Sequence, residues 1–236
     1  MSSGVELACT PDRNRCWRTH VFSLVLLLTL IALIYANSFK GTWIFDDGVN
    51  IVENQHVHLK SLDWEKITEA AGGISGKGLN RPLAYISFGL NYFFHGLDTW
   101  GYHLVNLIIH CLAAVFLYLF IFQTLQLPIL KGKYDHRAGS IALLASALWA
   151  THPIHVTSVT YIVQRMASMA AMFYIMAMFF YLKGRISDRA GPKTGWFVLC
   201  ASSGLLALAG AQSSWKKHVS TAEHMGGLCS RSWLSG

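Results

Sequence analysis

Long apolar runs broken by short basic loops limit what this chain can fold into more than any other feature of its sequence. Stretches such as 20–36 and 102–125 lack the alternation of a half-buried strand. Wound as helices, at about 1.5 Å per residue, they reach across most or all of a bilayer core. Composition agrees, because 53% of the 236 residues are hydrophobic and 13% are charged. That balance fits a polytopic membrane protein and excludes an ordinary soluble domain. A formal net charge of +7 would suggest nucleic acid in a soluble protein. Here the basic residues gather between apolar runs, where membrane orientation explains them, so the expected partner is the lipid bilayer and no nucleic acid. The five cysteines, Cys9, Cys16, Cys111, Cys200 and Cys229, are odd in number and scattered, which supports neither a disulfide framework nor a zinc site.

The pattern predicts an all-α protein with about five spanning helices, near 20–36, 102–125, 138–151, 165–182 and 196–211. The first competes with a cleaved signal peptide, but further spans downstream favour an uncleaved anchor. Residues 1–19 form a polar N-terminus, and 212–236 show no periodicity. The second run carries His103, Asn106 and His110 at helical spacing, a stripe suited to interhelical hydrogen bonds. In the third, Ala142, Ser146 and Ala150 make a small-residue face for close contact, and the fourth holds five of the seven methionines.

The loop 37–100 is too long to be a connector. It opens with Trp43-Ile44-Phe45-Asp46-Asp47-Gly48, where paired carboxylates lie close to a membrane surface. Such charges are costly unless solvated or lining a cavity, which marks them as a site; Asp47-Gly48 also suits a plain turn. Ser61-Leu62-Asp63-Trp64 starts a helix that Gly72-Gly73 stops. Arg81-Pro82 opens a second, interfacial helix, with Leu83, Ile86, Leu90 and Phe94 on one side and Ser87, Asn91, His95 and Asp98 on the other.

Basic residues fix an orientation. Arg13, Arg15, Arg18, Lys131, Lys133, Arg137, Lys183, Arg185, Arg189 and Lys193 fall on one side. Only Lys40, Lys60, Lys66, Lys77, Arg81 and Arg165 fall on the other, spread over more positions. The positive-inside rule then makes the N-terminus cytoplasmic. It sets Asp46, Asp47, Arg81, His152, His155 and Arg165 together on the outer face. There a carboxylate can take a proton from an attacking hydroxyl, and a guanidinium can grip a lipid-linked phosphate. Two Asp and two His could instead hold a divalent metal, and the imidazoles could be plain interface groups.

The segments Phe45-Asp46-Asp47, Arg81-Pro82-Leu83, Tyr102 to His110, Thr151-His152-Pro153-Ile154-His155 and VTYIVQRMASMAAMF from Val159 resemble a known family over roughly 17–210. They look like the N-terminal membrane region of bacterial multispanning tetratricopeptide-repeat proteins. Those are similar to the transmembrane and tetratricopeptide-repeat O-mannosyltransferases of the GT-C glycosyltransferase class. The resemblance implies a GT-C-like helical bundle and a polyprenyl-phosphate-linked sugar donor, with a protein as the expected acceptor; no cofactor is expected, a divalent metal being the alternative. It makes Asp46 and Asp47 the catalytic carboxylates, with the glycine beside Asp47 favouring that residue as base. His152-Pro153 and Arg165 match its second outer loop, which helps bind the donor phosphate. A bacterial inner membrane, with 37–100 periplasmic, is the expected location.

The chain also departs from the family. It shows no 34-residue repeat, and the pattern stops near Gly210. The expectation is an N-terminal fragment with a non-native tail over 212–236, inactive as truncated. The rival reading is a non-catalytic membrane anchor for a repeat domain.

Overall fold

The computed structural model describes residues 13–77, 81–130, 132–187 and 191–209. The expected tail at 212–236 and the first twelve residues lie outside the described residues. Among those described there is no strand, and three helical stretches are long and apolar enough to cross a membrane, Trp17–Lys40, Thr99–Leu125 and Ile162–Ile186. The chain is an all-α membrane protein.

The first helix, α1 (Arg13–Tyr35), runs into a 3-10 turn and then the outer loop. Two short helices follow, α2 (Trp64–Ala71) and α3 (Pro82–His95). The long central helix α4 (Thr99–Leu125) starts at Asp98, whose carboxylate accepts the Trp100 N–H and so satisfies one orphan donor of its first turn. Next come α5 (Ala138–Ala150), the one-turn α6 (Val156–Thr160), α7 (Arg165–Ile186) and α8 (191–209).

Of the expected third span, α5 provides 13 residues, about 20 Å of helix, less than a bilayer core. It packs beside α4 and α1 through the small-residue face that its sequence shows: Ala142, Ser146 and Ala150 are all fully buried. The core there joins Leu27, Ile31 and Tyr35 of α1 to Leu107, Ala114, Tyr118 and Phe122 of α4. The Tyr35 hydroxyl donates to Ala150 O at 3.3 Å, and His20 Nδ1 lies 2.7 Å from the Tyr118 hydroxyl. The ends of α1 and α5 therefore meet, while α4 runs against both. Phe116 on α4 packs against Phe179 and Phe180 on α7, beyond the middle of each helix. Seen from the lipid side the bundle is apolar, with Phe22, Leu33, Leu144, Leu148 and Leu205 all more than half exposed.

A second core holds the outer loop onto the bundle. Ile51 and Val57 from the loop, Ala84, Tyr85 and Phe88 from α3, Tyr102 from α4, and Ile162, Val163 and Met166 leading into α7 pack together. Two glycines in this region allow close approach. Gly73 has φ +67°, and a Cβ there would lie 2.6 Å from the Tyr85 ring. At Gly89 a Cβ would meet Leu59 Cδ1 at 2.8 Å, so a larger residue there requires the Leu59 side chain to shift.

The amphipathic character expected of α3 is present, but its polar side is divided, with His95 and the following Asp98 exposed and only Ser87 and Asn91 turned inward. Leu90, Phe93 and Phe94 are exposed, whereas Asn91 is buried and Ser87 half-buried, both against α7.

Candidate functional site

The outer loop meets the start of α7 through Asp47. This residue is fully buried, with one carboxylate oxygen accepting the Val163 N–H at 2.8 Å and the other the Ile44 N–H at 3.2 Å. Burial pushes its pKa above the ordinary carboxyl value, opposed by those two N–H groups. The negative charge of Asp46 adds to the rise, and Arg165 opposes it. Asp47 directly precedes a single π-helical turn, Gly48–Val52, to which its side chain makes no capping bond.

Asp46 has the opposite surroundings. It is exposed, and its held groups are backbone: its N–H donates to the Tyr161 hydroxyl at 3.0 Å and its carbonyl accepts from Asn50 Nδ2 at 2.8 Å. The carboxylate is left open to an incoming group. Burial raises the Tyr161 pKa, so the phenol keeps its proton, and with its oxygen accepting from Asp46 that proton is available to donate. Neither Tyr161 nor Asn50 stands out in the sequence as a site residue. Tyr161 lies in the quoted VTYIVQR segment, and that is the one signal that could have found it.

Behind the pair, Arg165 is 0% exposed. Its Nε donates to Asn106 Oδ1 at 2.7 Å, its Nη1 to Asn91 Oδ1 at 2.6 Å and Ser87 Oγ at 3.2 Å, and its Nη2 to Tyr102 O at 2.8 Å. The guanidinium lies over the Phe88 ring, 4.6 Å from its centroid. Asn106 turns its amide N–H groups toward the carbonyls of Val159, Tyr161 and Ile162, tying α4 to the same segment. Arg165 thus clamps α3, α4 and α7 and has no face turned to an incoming phosphate.

Arg81 is placed differently. It precedes Pro82 with φ +50°, a strained left-handed backbone for a non-glycine residue. Nη1 contacts Met166 Sδ at 3.0 Å, and the buried Nε has no hydrogen-bond partner. The side chain lines a cleft walled by Met166, Met169, Phe173, Leu206 and Ala209. Burial lowers its pKa, opposed by Tyr85. The Tyr85 hydroxyl in turn donates to Asn50 Oδ1 at 2.7 Å, and Asn50 Nδ2 donates to the Asp46 backbone carbonyl, so α3 helps to hold the backbone that carries the exposed carboxylate.

His152 and His155 sit at the same end of the bundle but turn elsewhere. His152 is exposed, and its Nδ1 accepts the Ile154 N–H. The His155 ring lies 4.4 Å from Trp149 and 5.8 Å from His110, centroid to centroid. Burial and the neighbouring His152 lower the His155 pKa, so it is neutral at physiological pH. Among the described residues no three His, Cys, Asp or Glu side chains gather around a point where one metal ion could sit.

No family model matches the chain, and no solved structure matches it. Curated sequences do. The chain is 33% identical over 177 residues to protein O-mannosyl-transferase tmtc2 of Xenopus laevis, covering 72% of this chain and 20% of that protein. It is 30% identical over 182 residues to protein O-mannosyl-transferase TMTC1 of Homo sapiens, covering 73% and 19%. With protein O-mannosyl-transferase TMTC4 of Homo sapiens the identity is 29% over 197 residues, covering 78% and 26%. The chain spans about a fifth to a quarter of the length of these relatives, and over most of its own length it is similar to protein O-mannosyl-transferases of the TMTC group.

Proposed function

We propose that this bundle carries the site of a membrane glycosyltransferase that moves a sugar from a polyprenyl-phosphate donor to a hydroxyl on a protein. The observation that carries the reading is the contrast within the carboxylate pair. Asp47 is buried and pins the loop, and Asp46 stands exposed beside it on a backbone held by Tyr161 and Asn50. Asp46 is therefore the base, and Asp47 positions it.

In the proposed step the Asp46 carboxylate takes the proton of the acceptor hydroxyl. The freed oxygen attacks the anomeric carbon, and the bond from that carbon to the phosphate oxygen breaks. The polyprenyl phosphate leaves with the bonding pair. Of the cations expected to meet that phosphate, Arg81 is the one with an unpartnered N–H and an apolar cleft beside it, suited to an anion on a hydrocarbon chain. The names of the relatives support mannose as the sugar. The distribution of Lys and Arg supports placing the site on the non-cytoplasmic face.

The test uses vesicles carrying the chain. Polyprenyl phosphate should bind to the wild type, and Arg81→Gln should weaken that binding about tenfold, the loss of one charged contact. Asp46→Asn should leave donor binding intact and, in a longer protein that carries this region and transfers sugar, lower transfer about 100-fold or more, the usual contribution of a general base. A wild type that binds no polyprenyl phosphate overturns the enzyme reading and leaves the membrane-anchor reading.

A further inference from the structure

The residue before Asp46 is hard to account for by folding. Phe45 has φ +42°, a region that bulky side chains rarely adopt, and it is 89% exposed. Packing therefore returns almost nothing for the strain. The turn does not need an aromatic ring either, since its bonds run through the backbone: Asp47 N to Ile44 O at 3.0 Å and Gly48 N to Phe45 O at 3.2 Å. Glycine or asparagine would satisfy this backbone with less strain. The conformation is held from both sides, by the two hydrogen bonds to the Asp47 carboxylate and by Tyr161.

We infer that Phe45 is the side chain against which the protein acceptor lies when its hydroxyl meets Asp46. The inference rests on the reading of Asp46 as the base. Consecutive Cα atoms are about 3.8 Å apart, so a polypeptide that brings an oxygen to the Asp46 carboxylate passes within reach of the neighbouring ring. Ile44 and Val49, 42% and 53% exposed, extend the apolar surface around it. An exposed aromatic with few torsions suits recognition of an extended chain, because it offers a large contact at small entropic cost. The contact falls on the acceptor side, since the base touches the acceptor, whereas Arg81, which would meet the donor, lies in the separate cleft against Met166 and Met169 that Phe45 does not line. Phe45 is in this sense a positioning residue that selects acceptors with an apolar residue near the modified hydroxyl.

The experiment places the full chain in phosphatidylcholine vesicles and titrates a fluorescein-labelled peptide whose threonines are flanked by apolar residues. Phe45→Ala and Phe45→Gly should each weaken peptide binding about tenfold, as truncating an aromatic anchor does, and Phe45→Trp should retain it. Phe45→Gly relieves the strained φ, so a loss equal to that of Phe45→Ala assigns the effect to the ring. Polyprenyl phosphate binding should be unchanged in all three. Peptide binding that is absent in the wild type, or equal in Phe45→Ala, overturns the inference. So does added emission in Phe45→Trp, taken as the difference from the wild type with its eight native tryptophans, that brominated lipids quench and the peptide leaves unchanged, since the ring would then be a bilayer contact. Failure of the enzyme reading is seen separately, as a wild type that binds no polyprenyl phosphate.

Discussion

Two adjacent aspartates of identical chemistry end in opposite environments because their side chains leave the turn in different directions. The Asp47 carboxylate meets the Val163 N–H, contributed by a segment 116 residues further along the chain, whereas the Asp46 carboxylate has no hydrogen-bond partner among the described residues and Asp46 is held through its backbone. This gives a pH signature. A carboxyl whose folded pKa is raised lends stability that is fully present below the ordinary value, about 4, and is lost as pH rises through the folded value. Relative to Asp47→Asn, which does not titrate, the wild type should be most stable in acid and should lose that margin as pH rises from about 4. Thermal unfolding of both proteins in detergent across this range measures it, and a margin that grows with pH would show that the two N–H groups outweigh burial. The sequence reveals the pair and its outer location, because charge at the end of an apolar run is conspicuous. It cannot reveal which aspartate is buried, since the deciding partner is a backbone N–H that every residue except proline carries. The glycine next to Asp47 points to that residue as the base, and the proposal of Asp46 instead rests on the burial of the Asp47 carboxylate.

At the scale of the element, α3 and α7 show what periodicity can and cannot tell. A helical pattern separates Leu90 and Phe94 from Ser87 and Asn91, but water and a buried guanidinium are alike as destinations for the polar side. Here the destination is Arg165, and the polar stripe of α4 completes the same arrangement through Asn106. Replacing Arg165 by methionine, of similar volume, removes the donors and leaves Asn106, Asn91 and the Tyr102 carbonyl without them. At about 1–3 kcal/mol for each buried group left unsatisfied, the total should reach about 3 kcal/mol or more. Arg165→Lys should recover only part of this, since one ammonium cannot span partners on two helices as the planar fork does. Unfolding in mixed detergent micelles should rank wild type, Lys and Met in that order. A methionine variant as stable as wild type would free Arg165 from this structural role and return it to the phosphate site.

For the whole molecule, the strongest prediction concerns which loops share a face. Counting Lys and Arg sets 37–100 and 151–165 on one side and 126–138 on the other, and the bundle reaches the same grouping by an independent route. Tyr35 at the end of α1 meets Ala150 at the end of α5, and the Asp46 N–H reaches Tyr161 across 115 positions of sequence. The loop between α4 and α5 lies at the far end, where His20 packs against Phe122. Helix number is less legible than this grouping, because α5 is apolar enough to count as a span and too short to be one on its own. Single cysteines placed at exposed Glu65 and exposed His136, in a chain whose native cysteines are replaced by serine, test the arrangement. In sealed, right-side-out vesicles an impermeant maleimide should label Glu65→Cys at once and His136→Cys only after detergent. Labelling of both before detergent would break the antiparallel relation of α4 to α1 and α5. The reverse pattern would keep the bundle and invert it in the membrane. Asp46 and the Arg81 cleft would then face the cytoplasm, and the donor would have to be presented from that leaflet.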